Sequence, residues 1–372
     1  MRTRAIIHLD RFTGNFHAIK ARIGDKRICV PVKADAYGHG ALQIARASIE
    51  AGAFCLAIAT VTEGTELRNA GITAPILLLS QPHPQEIPAI IASGLTPFVS
   101  DLEFIETLNT HTAPKTRLPV HLKIDTGMGR IGCPAEEAPA LARSIADCAG
   151  LQLEGIATHL AVSDSADPQD IAYTKKQLAR FREAVAAIRD AGIDPGIVHA
   201  ANSGAVILHP DAWFDMVRPG ISLYGYKQAE ESEITDFPFE PLHLEPVMEL
   251  RSTVVLIKKV KKGESVSYGR TWIADTDTNI AVLPVGYADG FPRLASGKWQ
   301  AVIGGNVYPL AGRICMDQCL VNLGPESKVR RWDEAIIFGG SAPDAAALAR
   351  TVGTIPYEIT CNINKRVPRV YI

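Results

Sequence analysis

No apolar run in the 372-residue sequence approaches the ~20 residues that a membrane-spanning helix needs. The opening Met1-Arg2-Thr3-Arg4-Ala5-Ile6-Ile7 is too short, and too soon interrupted by Asp10, to read as a secretory signal. The seven cysteines (Cys29, Cys55, Cys133, Cys148, Cys315, Cys319 and Cys361) are odd in number and include no Cys-x-x-Cys pair. Most sit in apolar runs, so they read as reduced, buried thiols of a cytoplasmic protein. The formal net charge is only −2, so neither nucleic acid nor an anionic membrane is an expected partner. The ten histidines are scattered, and no metal site is expected. There is no internal repeat and no low-complexity tract. No G-x-G-x-x-G follows the first strand-like run, which counts against a doubly wound dinucleotide-binding sheet.

What is present is an ordinary globular composition, 47% hydrophobic and 21% charged. The chain is too long for one ordinary domain unless it is a barrel with an addition. Through the first two thirds, short apolar runs alternate with longer amphipathic stretches. Strands are expected at 28–32, 54–59, 76–79, 97–99, 120–124, 152–157 and 197–200, with 216–217 and 221–224 framing an eighth. Helices are expected at 41–51, 62–70, 85–91, 102–108, 136–148, 168–191 and 204–208. Eight strands in βαβα order are the signature of a parallel (β/α)8 barrel of the TIM type. The acidic run Ala229-Glu230-Glu231-Ser232-Glu233 reads as a solvated linker. Beyond it, strand-like segments at 247–260, 280–285, 301–303 and 319–323 recur without long helices, apart from one helical patch at 344–350. The expected organisation is an α/β barrel over 1–235 followed by a mostly β domain over 236–372.

Barrel enzymes carry their chemistry at the carboxyl ends of the strands. Those ends supply Lys33, Lys123, Asp125, His159, Asn202, Ser203, Arg218, Gly220 and Ile221. Several of these have a plainer reading. Lys33 and Lys123 can be solvated lysines, His159 a core histidine, Arg218 a partner of Asp215, and Asn202-Ser203 a helix cap. Lys33 is distinguished by its place: a β-prone run leads straight into it and turn formers follow. An amine so placed is suited to forming a Schiff base with a carbonyl compound once its pKa is lowered. Ser203 and Gly220-Ile221 follow strands seven and eight, where barrels bind phosphate through backbone N–H groups and glycine permits close approach. An aldehyde for the lysine and a phosphate for the amides are the two handles of pyridoxal phosphate.

Six ordered segments carry a specific likeness: VKADAYGHG (32–40), HLKIDTGMGRIG (121–132), HAANSGAV (199–206), VRPGISLYG (217–225), SYGRTW (267–272) and AGRICMDQ (311–318). With the ending YEITCNINKRVPRVY (357–371), they resemble the alanine racemases, pyridoxal phosphate enzymes built from a barrel and a β domain. The likeness runs through essentially the whole chain. It implies a cytoplasmic isomerase that interconverts L-alanine and D-alanine and supplies D-alanine for peptidoglycan. It also implies a homodimer with active sites shared between subunits.

By the same resemblance, Lys33 holds the cofactor and serves as one base, while Tyr268, from the β domain of the second subunit, is the base on the opposite face. Racemisation needs two such groups, since a single base confined to one face tends to restore the starting enantiomer. His159 neighbours this tyrosine and is bonded to Arg218, which partners the pyridine nitrogen. Tyr37, Ser203, Gly220, Ile221 and Tyr357 are the implied phosphate contacts, with Asn202 beside them. Arg130 is implied to bond the cofactor's phenolic oxygen and, with the Met316 N–H, the substrate carboxylate. Lys123 stands where the family often has a carbamylated lysine that orients Arg130. Tyr287, Asp317 and Arg293 are implied to line the substrate entrance. Read from the residues alone, Tyr268 is a packed strand tyrosine and Asp317–Arg293 an ordinary ion pair. The competing functions are a broader racemase acting on serine and a non-catalytic pyridoxal phosphate carrier, which would need no second base. A barrel decarboxylase is disfavoured by Arg218, where an acidic group would be expected.

Overall fold

The computed structural model describes residues 2–113, 117–227 and 239–372. The acidic run at 229–233 and the expected boundary at 235/236 lie outside the described residues. The chain divides into two compact units. One comprises Phe12–Ala36 and Ala41–Leu244, the other the segment ending at Arg11 with Tyr37–Gly40 and Glu245–Ile372.

The first unit is a (β/α)8 barrel. Its strands are Arg27–Pro31, Cys55–Ile58, Ile76–Leu78, Thr96–Val99, Leu118–Asp125, Leu151–Ala157, Ile197–His199 and Met216–Val217. Each of the first seven pairs in parallel with its neighbour, and Met216–Val217 pairs in parallel with Arg27–Pro31. The ring is completed where the Asp215 N–H donates to the Val198 carbonyl at 3.0 Å and the Arg218 N–H to the Ala201 carbonyl at 2.8 Å. Parallel strands covered on both faces read as unbroken apolar runs, and Cys55–Ile58, Ile76–Leu78 and Thr96–Val99 are buried throughout.

The helices start where local chemistry dictates. Thr60 caps Val61–Asn69 in a reciprocal capping box with Glu63, Asp101 caps Leu102–His111, and Asp167 followed by Pro168 opens Pro168–Asp190. Of the two runs framing the eighth strand, only Met216–Val217 is strand; residues 221–224 form consecutive turns. Their carbonyls and amides close on each other (Tyr224 N–H to Ile221 O, 3.0 Å), and the Tyr224 phenol reaches the Pro31 carbonyl at 2.9 Å. The apolar side chains there are buried by tertiary packing rather than by strand pairing.

Two elements near the start carry a periodic signal beyond the expected set. Leu9–Ile23 is a helix whose Phe12, Phe16, Ile19 and Ile23 recur at helical spacing and are buried. Arg4–Ile7 is a strand, antiparallel to Met248–Thr253 and parallel to Arg369–Tyr371. These three belong to a six-stranded sheet completed by Glu334–Phe338, Gln300–Ile303 and Asn306–Pro309. A three-stranded sheet joins Leu256–Val260, Thr278–Leu283 and Cys319–Gly324, so the expected single strand at 247–260 is two strands in different sheets. The helical patch is Ala345–Val352, capped by Asp344. Among the described residues, no helix is long and apolar enough to cross a membrane.

Candidate active site

Lys33 stands at the carboxyl end of the first barrel strand and is half-buried. The four residues after it, Ala34, Asp35, Ala36 and Tyr37, all take left-handed helical angles, with φ between 52° and 55°. That conformation costs an L-residue roughly 1–2 kcal/mol, so the turn persists only where its surroundings over-determine it. They do. The Ala34 N–H donates to Glu63 Oε1 at 2.7 Å, the Ala36 N–H to the Val32 carbonyl at 2.8 Å, and Asp35 Oδ1 accepts the Ala41 N–H at 2.8 Å. Glu63 therefore caps its own helix and pins the backbone beside Lys33.

Four cations act on one histidine. His159 is held well below the ordinary imidazole range, by burial first and then by the charges of Arg218, Arg130, Lys123 and Lys33. It is therefore neutral at pH 7, and its Nδ1 faces Arg218 Nη2 at 3.4 Å. Arg218 is buried and lowered by that burial to about 10, still a cation at neutrality. Its Nη2 donates to the Thr158 carbonyl at 2.8 Å and the Ala200 carbonyl at 3.1 Å, and its Nη1 faces His199 Nδ1 at 2.6 Å. Asp215, the alternative partner, instead accepts the Val198 N–H at 2.9 Å.

Lys123 is buried, not solvated, and its amine donates to the Ile124 carbonyl at 2.9 Å. Burial and the Arg218 charge pull it down to about 7, against the opposing pull of Asp125. Asp125 is committed locally, accepting the N–H groups of Gly127, Met128 and Gly129 at 2.8–3.2 Å. Burial alone would raise its carboxyl, but the Gly127 and Gly129 amides, Lys123 and the Met128 amide outweigh it and hold it below its usual value. Arg130, exposed, sits on the loop this carboxylate closes. Gly132 is required there, since a Cβ would lie 2.6 Å from the Asp125 nitrogen.

Asn202 is the helix cap: its Oδ1 accepts the Ala205 N–H at 3.1 Å and the Ser163 hydroxyl at 2.6 Å, and its amide donates to the Leu160 carbonyl at 3.2 Å. Ser203 is not a cap. Its buried Oγ accepts the Gly220 N–H at 2.8 Å and the Ser222 N–H at 3.2 Å, with the Ser222 hydroxyl at 3.1 Å. An oxygen that accepts this much has its own proton left to donate. Ile221 is buried in the turn that follows.

In the second unit, the Tyr37 and Tyr357 rings lie 5.8 Å apart. Burial, with Tyr357 and Cys361 nearby, pushes the Tyr37 phenol above its ordinary pKa, so it stays a protonated donor. Tyr268 is 69% exposed, on a turn between the short paired strands Ser265–Val266 and Trp272–Ile273, so it is not a packed strand tyrosine. The Tyr287 N–H donates to the Cys315 carbonyl at 3.1 Å and the Ala288 N–H to the Met316 carbonyl at 3.0 Å, which ties the Tyr287 and Met316 loops together. Asp317 pairs with Arg366 at 2.8 Å rather than with Arg293, and Arg366 also holds Asp289 at 2.7 Å. Arg293 is exposed. All seven cysteines are free thiols. Among the described residues, no group of His, Cys, Asp and Glu could hold a metal ion.

Sequence reasoning overlooked Glu63, His121, His199 and Glu154. His121 was findable, since it precedes Lys123 by two in a strand and so shares its face.

The family model described as alanine racemase, N-terminal domain, matches residues 7–228, and that described as alanine racemase, C-terminal domain, matches 247–371. An alanine racemase of Treponema denticola is 50% identical over 378 residues, covering 100% of this chain and 98% of its own length. One from Desulforamulus reducens is 42% identical over 371 residues, covering 99% and 98%. The solved alanine racemase from a D-cycloserine-producing Streptomyces lavendulae superposes with a TM-score of 0.90 at 36% identity, over 100% of this chain and 97% of that one. The Bacillus anthracis alanine racemase solved with bound L-Ala-P gives 0.90 at 34%, over 100% and 95%.

Proposed function

The chain belongs to the alanine racemase family and is a racemase, and from that premise we propose that it interconverts L-alanine and D-alanine with pyridoxal phosphate, using Lys33 and Tyr268 as its two bases. The observation that carries the reading is the concentration of positive charge around a neutral His159, with Lys33, Lys123, Arg130 and Arg218 all contributing. Such a site suits a ligand pair bearing a phosphate and a carboxylate. The donor set fits the cofactor. Ser203 has an unspent hydroxyl proton, Tyr37 keeps its phenolic proton, and Lys33 offers an amine. Arg218 donates through both terminal nitrogens to protein groups and would offer its Nε–H to the ring nitrogen. Gly220 and Asn202 support this set through Ser203 and its helix, while Ile221 and Tyr357 complete the phosphate side.

Bound pyridoxal phosphate supplies an electron-withdrawing ring that acidifies the α-carbon proton of the amino acid attached to it. The chain's residues do the rest. Lys33 anchors the cofactor and moves a proton on one face of the α-carbon, and Tyr268 of a second copy does so on the other. Arg218, which cannot surrender its proton, donates a hydrogen bond without protonating the ring. The α-carbon is then reprotonated sooner, which suppresses transamination. Arg130 and the Met316 N–H hold the substrate carboxylate, with Tyr287, Asp317 and Arg293 at the entrance. A cytoplasmic role supplying D-alanine to peptidoglycan accords with this chemistry.

The test is the loss of optical rotation of L-alanine, set beside L-serine, by protein supplied with the cofactor. Faster turnover of serine would replace this reading with a broader racemase. Cofactor absorbance without turnover would replace it with a carrier.

Lys123 enters the proposal as a carbamate. With its pKa at about 7, much of its amine is unprotonated at neutrality and nucleophilic. The neutral nitrogen attacks carbon dioxide, an N–C bond forms, one C=O electron pair moves to oxygen and one proton is released. A cation beside Arg218 and Arg130 thereby becomes an anion able to orient Arg130. Isotopically labelled bicarbonate is expected to give one carbamate carbon resonance that is missing in Lys123→Met; a blank spectrum at neutral and alkaline pH would discard the modification. The sign of the stability effect follows from linkage. The folded pKa of about 7 lies below the ~10.4 of an unfolded lysine, so between them the unfolded chain binds the extra proton. Thermal melts of protein kept free of carbon dioxide, with Lys123 as the amine, should therefore show stability rising with pH above about 7, a rise that Lys123→Met flattens.

A further inference from the structure

A file of side chains runs through the barrel interior from Arg218. Arg218 Nη1 lies 2.6 Å from His199 Nδ1, His199 Nε2 lies 2.8 Å from His121 Nδ1, and His121 Nε2 lies 3.2 Å from a Glu154 carboxylate oxygen. The ends dictate the direction of every bond. A guanidinium only donates, so His199 Nδ1 must accept, which leaves its one proton on Nε2. That proton is donated to His121 Nδ1, which places the His121 proton on Nε2 as well, aimed at Glu154. Any other arrangement sets two N–H groups against each other. A protonated His199 opposes Arg218. A protonated His121 reverses His199 and creates the same clash. The file therefore has one permitted arrangement of imidazole protons: two neutral rings, both Nε2–H, ending on an acceptor oxygen of Glu154. Burial pushes both imidazoles below their ordinary pKa, in keeping with neutrality.

The backbone is shaped for this arrangement. Along the paired strands Leu118–Asp125 and Leu151–Ala157, Val120 faces Leu153 and His121 faces Gly155, so Glu154 is the extra residue of a bulge. Bulges re-aim a side chain. A Cβ on Gly155 would lie 2.5 Å from His121 Cε1, so glycine is what leaves room for the ring. Phe98 stacks on the same imidazole at 6.3 Å. Among the described residues Arg218 touches no carboxylate: its partners are two imidazoles and two carbonyls. Glu154, 39% exposed at its side chain, is the anion at the far end.

We propose that Glu154 and His121 are positioning residues which, through His199, lock Arg218 in one orientation with a single proton arrangement along the file. The catalytic consequence rests on the reading of Arg218 as the partner of the cofactor's ring nitrogen; the proton arrangement does not. Nitrogen NMR of holoenzyme carrying isotope-labelled histidine, assigned with single His→Gln variants, is expected to show His121 and His199 as neutral Nε2–H tautomers at neutral pH. Glu154→Leu removes the terminal acceptor. It should disturb the His121 signal and lower kcat with KM for alanine little changed, by roughly the 10- to 100-fold seen when outer partners of metal-bound imidazoles are removed. It should also raise the transaminated fraction of product. Glu154→Gln keeps an acceptor and should restore both signal and rate. An Nδ1–H or doubly protonated His121 or His199 in the unmodified enzyme would overturn the proposal. So would Glu154→Leu with unchanged tautomers and an unchanged kcat. The expected spectrum in a protein that racemises nothing would instead overturn the functional reading and leave the proton arrangement standing.

Discussion

Tyr268→Phe is expected to cut racemisation by roughly 10²- to 10⁴-fold, the usual worth of a positioned general acid–base, while leaving the fold intact. The side chain is 69% exposed on its turn, so loss of one oxygen should shift stability by no more than ~0.5 kcal/mol. A phenol is a weak base, and it needs a nearby positive influence to take up a proton readily. A protonated His159 cannot be the source, because burial and four neighbouring cations keep that imidazole neutral. Instead, with Nδ1 turned to Arg218, His159 presents an Nε2–H donor that passes on the influence of the guanidinium. The measurement is α-proton exchange in deuterated water from each enantiomer separately. Exchange should survive from one enantiomer and vanish from the other. Undiminished racemisation would dispose of the two-base assignment.

Lys33→Ala should abolish both racemisation and the covalent lysine–cofactor link, which borohydride reduction of the unmodified enzyme traps as a single labelled peptide containing residue 33. The variant should also test how the site is assembled. If Tyr268 comes from a second copy, mixing the two inactive variants lets hybrid dimers regain one intact site of two. With random pairing, about a quarter of the original activity returns. No recovery after subunit exchange would place both bases in one chain. A reducible adduct at another lysine would remove Lys33 from the mechanism altogether.

Much of the architecture can be read locally because its cause is local. Parallel barrel strands are covered on both faces, so each is an unbroken apolar run, and the helices between them announce themselves through caps such as Thr60, Asp101 and Asp167. Where an apolar run has two possible fates, local pattern is silent. The runs at Arg4–Ile7 and at 221–224 look alike, yet one pairs with strands from the other end of the chain while the other folds into turns beneath Pro31. No neighbour in sequence distinguishes them.

The side chains at the strand ends, and hence the kinds of chemistry available, were determined by the sequence itself. Their protonation and pairing were decided only by tertiary structure. Lys123 is an ordinary lysine until burial and the Arg218 charge bring it to about 7. Asp317 pairs with Arg366 rather than Arg293, and the His121–His199 file exists only because a bulge at Glu154 and the bare Gly155 let it form. Charge state and hydrogen-bond direction depend on desolvation and on distances between residues far apart in the chain, and folding alone sets both.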